Sequence, residues 1–95
     1  HVRRVGSAFE SRLRAIAARH GFVKEIRGAG LMWGLDLGVD ASAVVPAALA
    51  HGVVVNRTSD TVIRMLPPYV ITEAEVDDGL GRLEAALVDV LGSRA

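Results

Sequence analysis

The 95-residue chain contains no cysteine, few aromatic residues and no excess of either charge. Without cysteine it can form neither a disulfide framework nor a thiolate metal site, and a reducing cytoplasm is the location we expect. Eleven basic and eleven acidic residues cancel, and one Trp and one Tyr offer little surface on which bases could stack. These counts argue against nucleic acid and against an anionic membrane surface as partners.

Long hydrophobic runs are also missing. The longest, residues 43–50, is too short to span a bilayer and contains Pro46, and no signal-peptide pattern opens the chain. Hydrophobic residues nevertheless make up 51% of the sequence, which is high for one small domain. We therefore expect part of the apolar surface to contact protein outside this chain.

Three segments have helical patterns. Residues 1–20 form the opening helix, residues 43–51 a second helix capped by Ser42, and residues 72–91 a third. Thr72 and Glu75 have the spacing of a capping box. The apolar stripes are Val2, Val5, Phe9, Leu13 and Ile16 in the first helix, and Val76, Leu80, Leu83, Leu87 and Val90 in the third. Because the first pattern is already running at His1 without a cap, we interpret the chain as the tail of a longer protein.

The three histidines do not form a metal-binding pattern. His20-Gly21 and His51-Gly52 each stand at a predicted helix end, where glycine supplies a left-handed residue and histidine lies near the negative end of the dipole. His1 lies at the start of the first helix. This placement predicts helix-end roles and no metal or acid-base site.

Four short segments have strand character: residues 22–27, 31–37, 53–56 and 61–66. Residues 28–30 are predicted to form a turn and residues 57–60 a hairpin loop. The glycines do not fit a dinucleotide-binding loop, because Gly34 falls one position late and lies within a strand pattern. We expect Gly34 to mark a close approach of a neighbouring backbone or side chain.

The order of elements predicts an α+β fold. We expect a small antiparallel or mixed sheet of three to four strands with helices packed on one face, forming one domain over residues 1–95 with its body at 22–91. The uncovered face is where a partner domain should pack.

Arg64 is the candidate site residue. In an extended strand, Val62, Arg64 and Leu66 share one face, while Ile63 and Met65 share the other, and Pro67-Pro68 ends the strand. A guanidinium among apolar neighbours is costly unless it is paired, and its fork suits a carboxylate or phosphate. An internal acid, a ligand and water at a sheet edge are the three possible partners.

Four segments in series carry a family resemblance: VKEIRGAGLMWGLDL at 23–37, HGVVVN at 51–56, TVIRMLPP at 61–68 and ITEAEVD at 71–77. In this order and spacing they resemble the C-terminal small domain of class III aminotransferases, and within that class the acetylornithine aminotransferases. Two residues depart from the usual pattern, since Tyr69 stands where an aliphatic residue is common and Trp33 is bulkier than usual.

The resemblance implies a pyridoxal-phosphate enzyme of fold type I. Such an enzyme transfers an amino group from a donor such as acetylornithine to 2-oxoglutarate and works as a homodimer. The position matching Arg64 binds the substrate α-carboxylate. The Schiff-base lysine and the phosphate-binding loop of the family belong to a large domain, so no cofactor is expected on this chain and it should be inactive alone.

Other polar residues are weaker candidates. Lys24, the only lysine, matches no lysine motif of the family and is interpreted as a solvated residue. Asn56 and Thr58 lie near the mouth of the predicted hairpin, where ordinary turn roles are the simpler interpretation. The alternative function, a free-standing α+β binding or dimerisation module, would use Arg64 to hold an effector carboxylate or a partner's acid.

Overall fold

The structure is a computed structural model that describes residues 2–29, 32–65 and 72–92. Its elements are α1 (Val2–Arg19), β1 (Glu25–Ala29), β2 (Met32–Asp36), α2 (Val44–Ala50), β3 (Asn56–Arg57), β4 (Val62–Met65) and α3 (Glu73–Leu91). This succession of helix, strand pair, helix, strand pair and helix is the predicted one. His1, Leu31, Leu66, Pro67, Pro68 and Tyr69 lie outside the described residues, and so do the predictions made for them.

The four described strands form one antiparallel sheet in the order β1-β2-β4-β3. The predicted hairpin is confirmed, because β3 pairs with β4 and the Thr58 N–H donates to the Val62 carbonyl at 3.0 Å, an ordinary hydrogen-bond distance. The α+β prediction is therefore confirmed, with an antiparallel sheet among the described strands.

The hydrophobic core lies on one face of this sheet. Trp33 and Leu35 of β2 are buried beside their cross-strand partners Met65 and Ile63 of β4. Phe9 of α1 stacks on Trp33 with ring centroids 6.4 Å apart. The same core contains the predicted stripes, with Val5, Phe9, Leu13 and Ile16 from α1, and Val76, Leu80, Leu83 and Leu87 from α3. Alternation along the strands thus decides which face the helices cover.

The strand boundaries differ from prediction at β1 and β3. The predicted strand 22–27 begins instead at Glu25 and continues through Gly28 and Ala29, which were predicted to lie in a turn, because these two residues pair with Trp33 and Met32 of β2. The ring of Trp33 lies over Gly28. A Cβ on Gly28 would lie 2.5 Å from that ring, so a glycine is needed within the strand. Only Asn56 of the predicted strand 53–56 is in β3, because the Val53 N–H donates to the Ala48 carbonyl of α2 instead of joining the sheet. Arg57, predicted to lie in the hairpin loop, is the second residue of β3.

Two predicted helix-end signals are wrong. Ala43 occupies the N-cap of α2 and makes no side-chain capping bond, while the Ser42 hydroxyl donates to Asp40 at 3.0 Å. Gly52 has the expected left-handed conformation after α2, with φ of 87°, but Gly21 is not among the described glycines with positive φ. The capping box of α3 is confirmed by reciprocal bonds between Thr72 and Glu75.

Candidate functional site

The uncovered face of the sheet carries a row of four cross-strand partners. Arg27 lies opposite Gly34, Gly34 opposite Arg64, and Arg64 opposite Asn56. None of the four is buried, whereas Ile63 and Met65 on the other face of β4 are buried. The predicted alternation along β4 therefore holds over the described residues and places Arg64 on the face away from the core.

Arg64 has no acidic partner in the described part of the chain. All eleven Asp and Glu residues lie in that part, and none forms an ion pair or hydrogen bond with Arg64. Its Nε–H is shielded from solvent and has no hydrogen-bond acceptor among the described residues. A buried donor left unsatisfied on a charged group costs free energy, so this position calls for an acceptor from outside these residues.

Arg27, in the same row, is in the opposite situation. Its Nη2 lies 2.6 Å from Glu25 and 3.7 Å from Asp36. The hydrogen bond and charge of Arg27 lower the pKa of Glu25 below its ordinary value. The pKa of Asp36 is lowered first by the Gly38 N–H and then by the Thr61 hydroxyl, with Arg27 contributing less. The sheet therefore supplies its own counter-charge to Arg27 and none to Arg64.

A groove of about 500 Å³ runs along this face and contains Arg64. Its lining includes Arg27, Gly34, Met32, Val62 and Thr58 as well as Arg64. Met32 is 56% exposed, so the groove combines apolar surface with one unpaired guanidinium. This combination suits a small organic acid whose carbon atoms contact the apolar side chains while its carboxylate faces Arg64.

A second groove, of about 650 Å³, lies between α2 and α3 and contains Arg82. There the guanidinium is already occupied, with Nε donating to Asp78 and Nη1 to the His51 carbonyl. Among the described residues, the larger groove therefore offers no unpaired guanidinium, and the groove at Arg64 is the better candidate site.

The other predicted residues are distributed as follows. Thr58 lines the Arg64 groove, and Asn56 lies opposite Arg64 in the register without lining it. His20 contacts Glu84 at 2.7 Å and His51 contacts Asp89 at 2.6 Å, both at helix ends. In the described ranges, no three metal-ligating side chains gather, and no helix is long and apolar enough to cross a membrane.

Gly34 and Arg27 are groove residues that sequence reasoning missed. The close approach expected at Gly34 is not found, since the nearest described atom to a Cβ built there would be the Ile63 carbonyl oxygen at 3.5 Å. Strand alternation alone would have placed Arg27, Gly34 and Arg64 on one face. The register that puts them in one row requires the strand pairing, which a single sequence does not specify.

Comparison with known proteins decides the family. Residues 1–87 match the family described as aminotransferase class III. The chain belongs to this family. The acetylornithine aminotransferase of Caldanaerobacter subterraneus subsp. tengcongensis is 39% identical over 90 residues, covering 94% of this chain and 23% of that protein. The predicted resemblance to class III aminotransferases, and to acetylornithine aminotransferases within them, is confirmed.

Solved structures agree with this membership. The N-acetylornithine aminotransferase of Stenotrophomonas maltophilia K279a superposes with a TM-score of 0.85 and 31% identity, covering 98% of this chain and 27% of that one. A PMP-bound aminotransferase of Vibrio fluvialis gives a TM-score of 0.85 at 29% identity, covering 99% and 23%. The class III chain described here spans about a quarter of the length of the relatives it matches.

Proposed function

We propose that this chain is the C-terminal part of a pyridoxal-phosphate-dependent aminotransferase of the acetylornithine or ornithine type. The complete enzyme would transfer an amino group from its donor to 2-oxoglutarate in the cytoplasm. Arg64 would bind the α-carboxylate of the substrate. Membership in the class III family favours this function over a free-standing binding or dimerisation module.

The unpaired guanidinium of Arg64 is the observation that carries the proposal. Every Asp and Glu of the chain is described, yet none neutralises Arg64, and its Nε–H has no acceptor within residues 2–29, 32–65 and 72–92. A carboxylate can accept two parallel hydrogen bonds from a guanidinium, which fixes both its position and its plane. An amino acid bound in this way would satisfy the cation and would be held in one orientation.

That orientation is the contribution of this chain to the reaction. A carboxylate held by two bonds leaves its Cα little freedom to rotate, so the bond to be broken can be presented in a fixed direction. The apolar side chains of Met32 and Val62 line the same groove and can contact the substrate carbons. We propose that the enzyme's own large domain covers this face and excludes water from the groove. The complete enzyme would assemble as a homodimer.

Pyridoxal phosphate would be held by that large domain. Lys24 is the only lysine in the chain; it is exposed, and its side chain lies against Gly38 rather than in the groove. The groove offers a carboxylate-binding cation but no amine for attaching the cofactor, which fits the substrate side of such a site. When bound, the cofactor would accept electrons from the substrate as the Cα proton leaves.

The test is Arg64→Lys in the complete enzyme. Lysine keeps the charge but cannot form two parallel hydrogen bonds to a carboxylate. The resulting fall in kcat/KM for the amino-acid donor should correspond to a loss of about 2 to 5 kcal/mol of transition-state stabilisation. Arg82→Lys is the matched control, because Arg82 lies in the other groove and is already paired. Unchanged kinetics in Arg64→Lys would refute the proposed role.

A further inference from the structure

Gly34 is a glycine that the fold itself does not require. It lies in the middle of β2, a central strand, where glycine weakens a sheet because it has no side chain to pack. Its backbone is not among the described glycines with positive φ. A Cβ placed there would meet the Ile63 carbonyl oxygen at 3.5 Å and Val62 Cγ1 at 3.8 Å, which are ordinary contacts. The described surroundings would therefore accept alanine.

Gly28, in the neighbouring strand, shows what a required glycine looks like. A Cβ on Gly28 would lie 2.3 Å from the Met32 carbonyl oxygen and 2.5 Å from the Trp33 ring. Packing explains Gly28, and no contact this close exists at Gly34 in the part of the chain that the structure describes. The reason for a glycine at position 34 should therefore be sought on the open side of the sheet.

On that side, the missing side chain creates a depression in the floor of the groove. All the neighbours of Gly34 on this face carry side chains: Arg27 and Arg64 across the strands, and Met32 and Asp36 two residues away along β2. Neighbouring strands lie about 4.8 Å apart, so the backbones of Arg27 and Arg64 are separated by roughly 10 Å with only Gly34 between them. The gap lies next to the one guanidinium of the row that has no acidic partner.

We propose that Gly34 is a specificity-determining residue that keeps this space open for the acid group of the substrate. The inference rests on the proposed function and deepens it. A carboxylate must lie in the plane of the Arg64 guanidinium to accept two bonds, and a side chain at position 34 would occupy the space through which it approaches. The size of residue 34 thus limits which substrates can place their carboxylate in the groove, whereas the guanidinium of Arg64 binds that carboxylate.

The experiment compares Gly34→Ala and Gly34→Val in the complete enzyme. Three quantities are measured: KM for the amino-acid donor, the dissociation constant of glutarate as an unreactive acid probe, and the Tm. Gly34→Val should raise both KM and the glutarate dissociation constant by roughly tenfold or more, and Gly34→Ala should raise them less. The Tm should stay level or rise, since both residues suit a strand better than glycine and a Cβ at this position meets only ordinary contacts among the described atoms.

Several outcomes would overturn the inference. Gly34→Val with unchanged KM and unchanged glutarate binding would show that the space is not used by the substrate. If both variants lower the Tm while KM and glutarate binding stay unchanged, the space above Gly34 is filled by a packed protein segment and not by the substrate, and the inference is wrong. Should valine prevent folding, the alanine variant decides by the same two binding measurements.

Arg64→Lys and Gly28→Ala are measured alongside. If Arg64→Lys weakens glutarate binding and Gly34→Val does not, the inference fails while the proposed role of Arg64 stands. If Arg64→Lys leaves glutarate binding unchanged, Arg64 does not bind the carboxylate, and both the proposed role of Arg64 and the inference about Gly34 are wrong. Gly28→Ala should lower the Tm, which shows that the assay detects a glycine replacement that the sheet cannot accept.

Discussion

Arg27 and Arg64 face the same groove from opposite sides of Gly34, yet only Arg27 is neutralised within the sheet. The pairing of Arg27 has a second effect, because it masks the negative charge of Glu25 near the groove. A substrate carboxylate approaching Arg64 therefore meets one guanidinium without an acidic partner, next to an Arg27 whose charge is neutralised by Glu25 and Asp36. Without Arg27, the same face would present an unmasked acid.

The first prediction concerns this masking. In the complete enzyme, Arg27→Gln should raise KM for the amino-acid donor only slightly, because Glu25 would then repel the carboxylate across exposed, solvent-screened distances. The increase should shrink as salt is added. KM is measured over a range of ionic strength, with Arg64→Lys as the reference for direct loss of the carboxylate contact.

A double variant isolates the cause. Adding Glu25→Gln to Arg27→Gln removes the nearer of the two acids that Arg27 neutralises and should restore KM part of the way to the wild-type value, since Asp36 stays charged. If the double variant stays as impaired as Arg27→Gln, repulsion by Glu25 is not the cause and the masking explanation is wrong.

The second prediction concerns the core beneath the site. Leu35 is fully buried between its partners in β1 and β4, so Leu35→Ala should lower the free energy of unfolding by about 2 to 5 kcal/mol through lost burial and the cavity it leaves. Leu49→Ala is the control, since Leu49 is 64% exposed and should change stability little. Denaturant unfolding of both variants measures the difference. Equal losses would contradict the assignment of the core face.

The third prediction concerns the start of α3. Thr72→Ala removes the side-chain oxygen that accepts the Glu75 N–H at 3.1 Å and should cost about 1 kcal/mol of stability. Thr72→Ser keeps that acceptor and should lose much less. Comparable losses in the two variants, measured by thermal unfolding, would show that the methyl group of Thr72 matters rather than its capping bond.

Periodic patterns predicted most of the architecture. The stripe of Val5, Phe9 and Leu13 in α1, the capping box of Thr72 and the alternation around Arg64 are local signals that a single sequence carries. Each follows from backbone geometry repeated over a few residues, and the structure confirms them. The face of the sheet on which Arg64 lies could therefore be predicted before any pairing was known.

The errors arose where a contact outside the predicted pattern replaces the one that the pattern indicates. Gly28 was predicted to lie in a turn because its local sequence is rich in glycine. The reason for a glycine there is the Trp33 ring of the paired strand, and the strand pairing is not visible in the sequence. Ser42 was predicted to be the N-cap of α2, but its hydroxyl donates a hydrogen bond to the Asp40 carboxylate instead. The contact of Arg27 with Asp36 of β2 and the absence of an acidic partner at Arg64 depend on the register between strands, which local patterns do not determine.

The last prediction concerns the contact that joins the end of α1 to α3. Glu84 on α3 accepts hydrogen bonds from the Arg19 guanidinium at 2.9 and 3.0 Å and contacts His20 Nε2 at 2.7 Å. Burial raises the pKa of Glu84, but the His20 and Arg19 hydrogen bonds together lower it further, and the net pKa falls below its ordinary value of 4.5. The folded state therefore favours the ionised carboxylate.

A carboxyl group whose pKa is lowered by folding stabilises the protein above its unfolded pKa and loses that contribution as the pH falls through the folded value. At neutral pH, Glu84→Gln should lower the free energy of unfolding by on the order of 1 kcal/mol, since the partners are partly exposed and screened. The difference between wild type and variant should narrow as the pH is lowered below 4.5. Glu10→Gln is the control, because the Glu10–Arg14 pair on α1 is exposed and joins no second element. A wild-type advantage that persists at acidic pH would mean that packing of the Glu84 side chain, rather than its charge, ties α1 to α3.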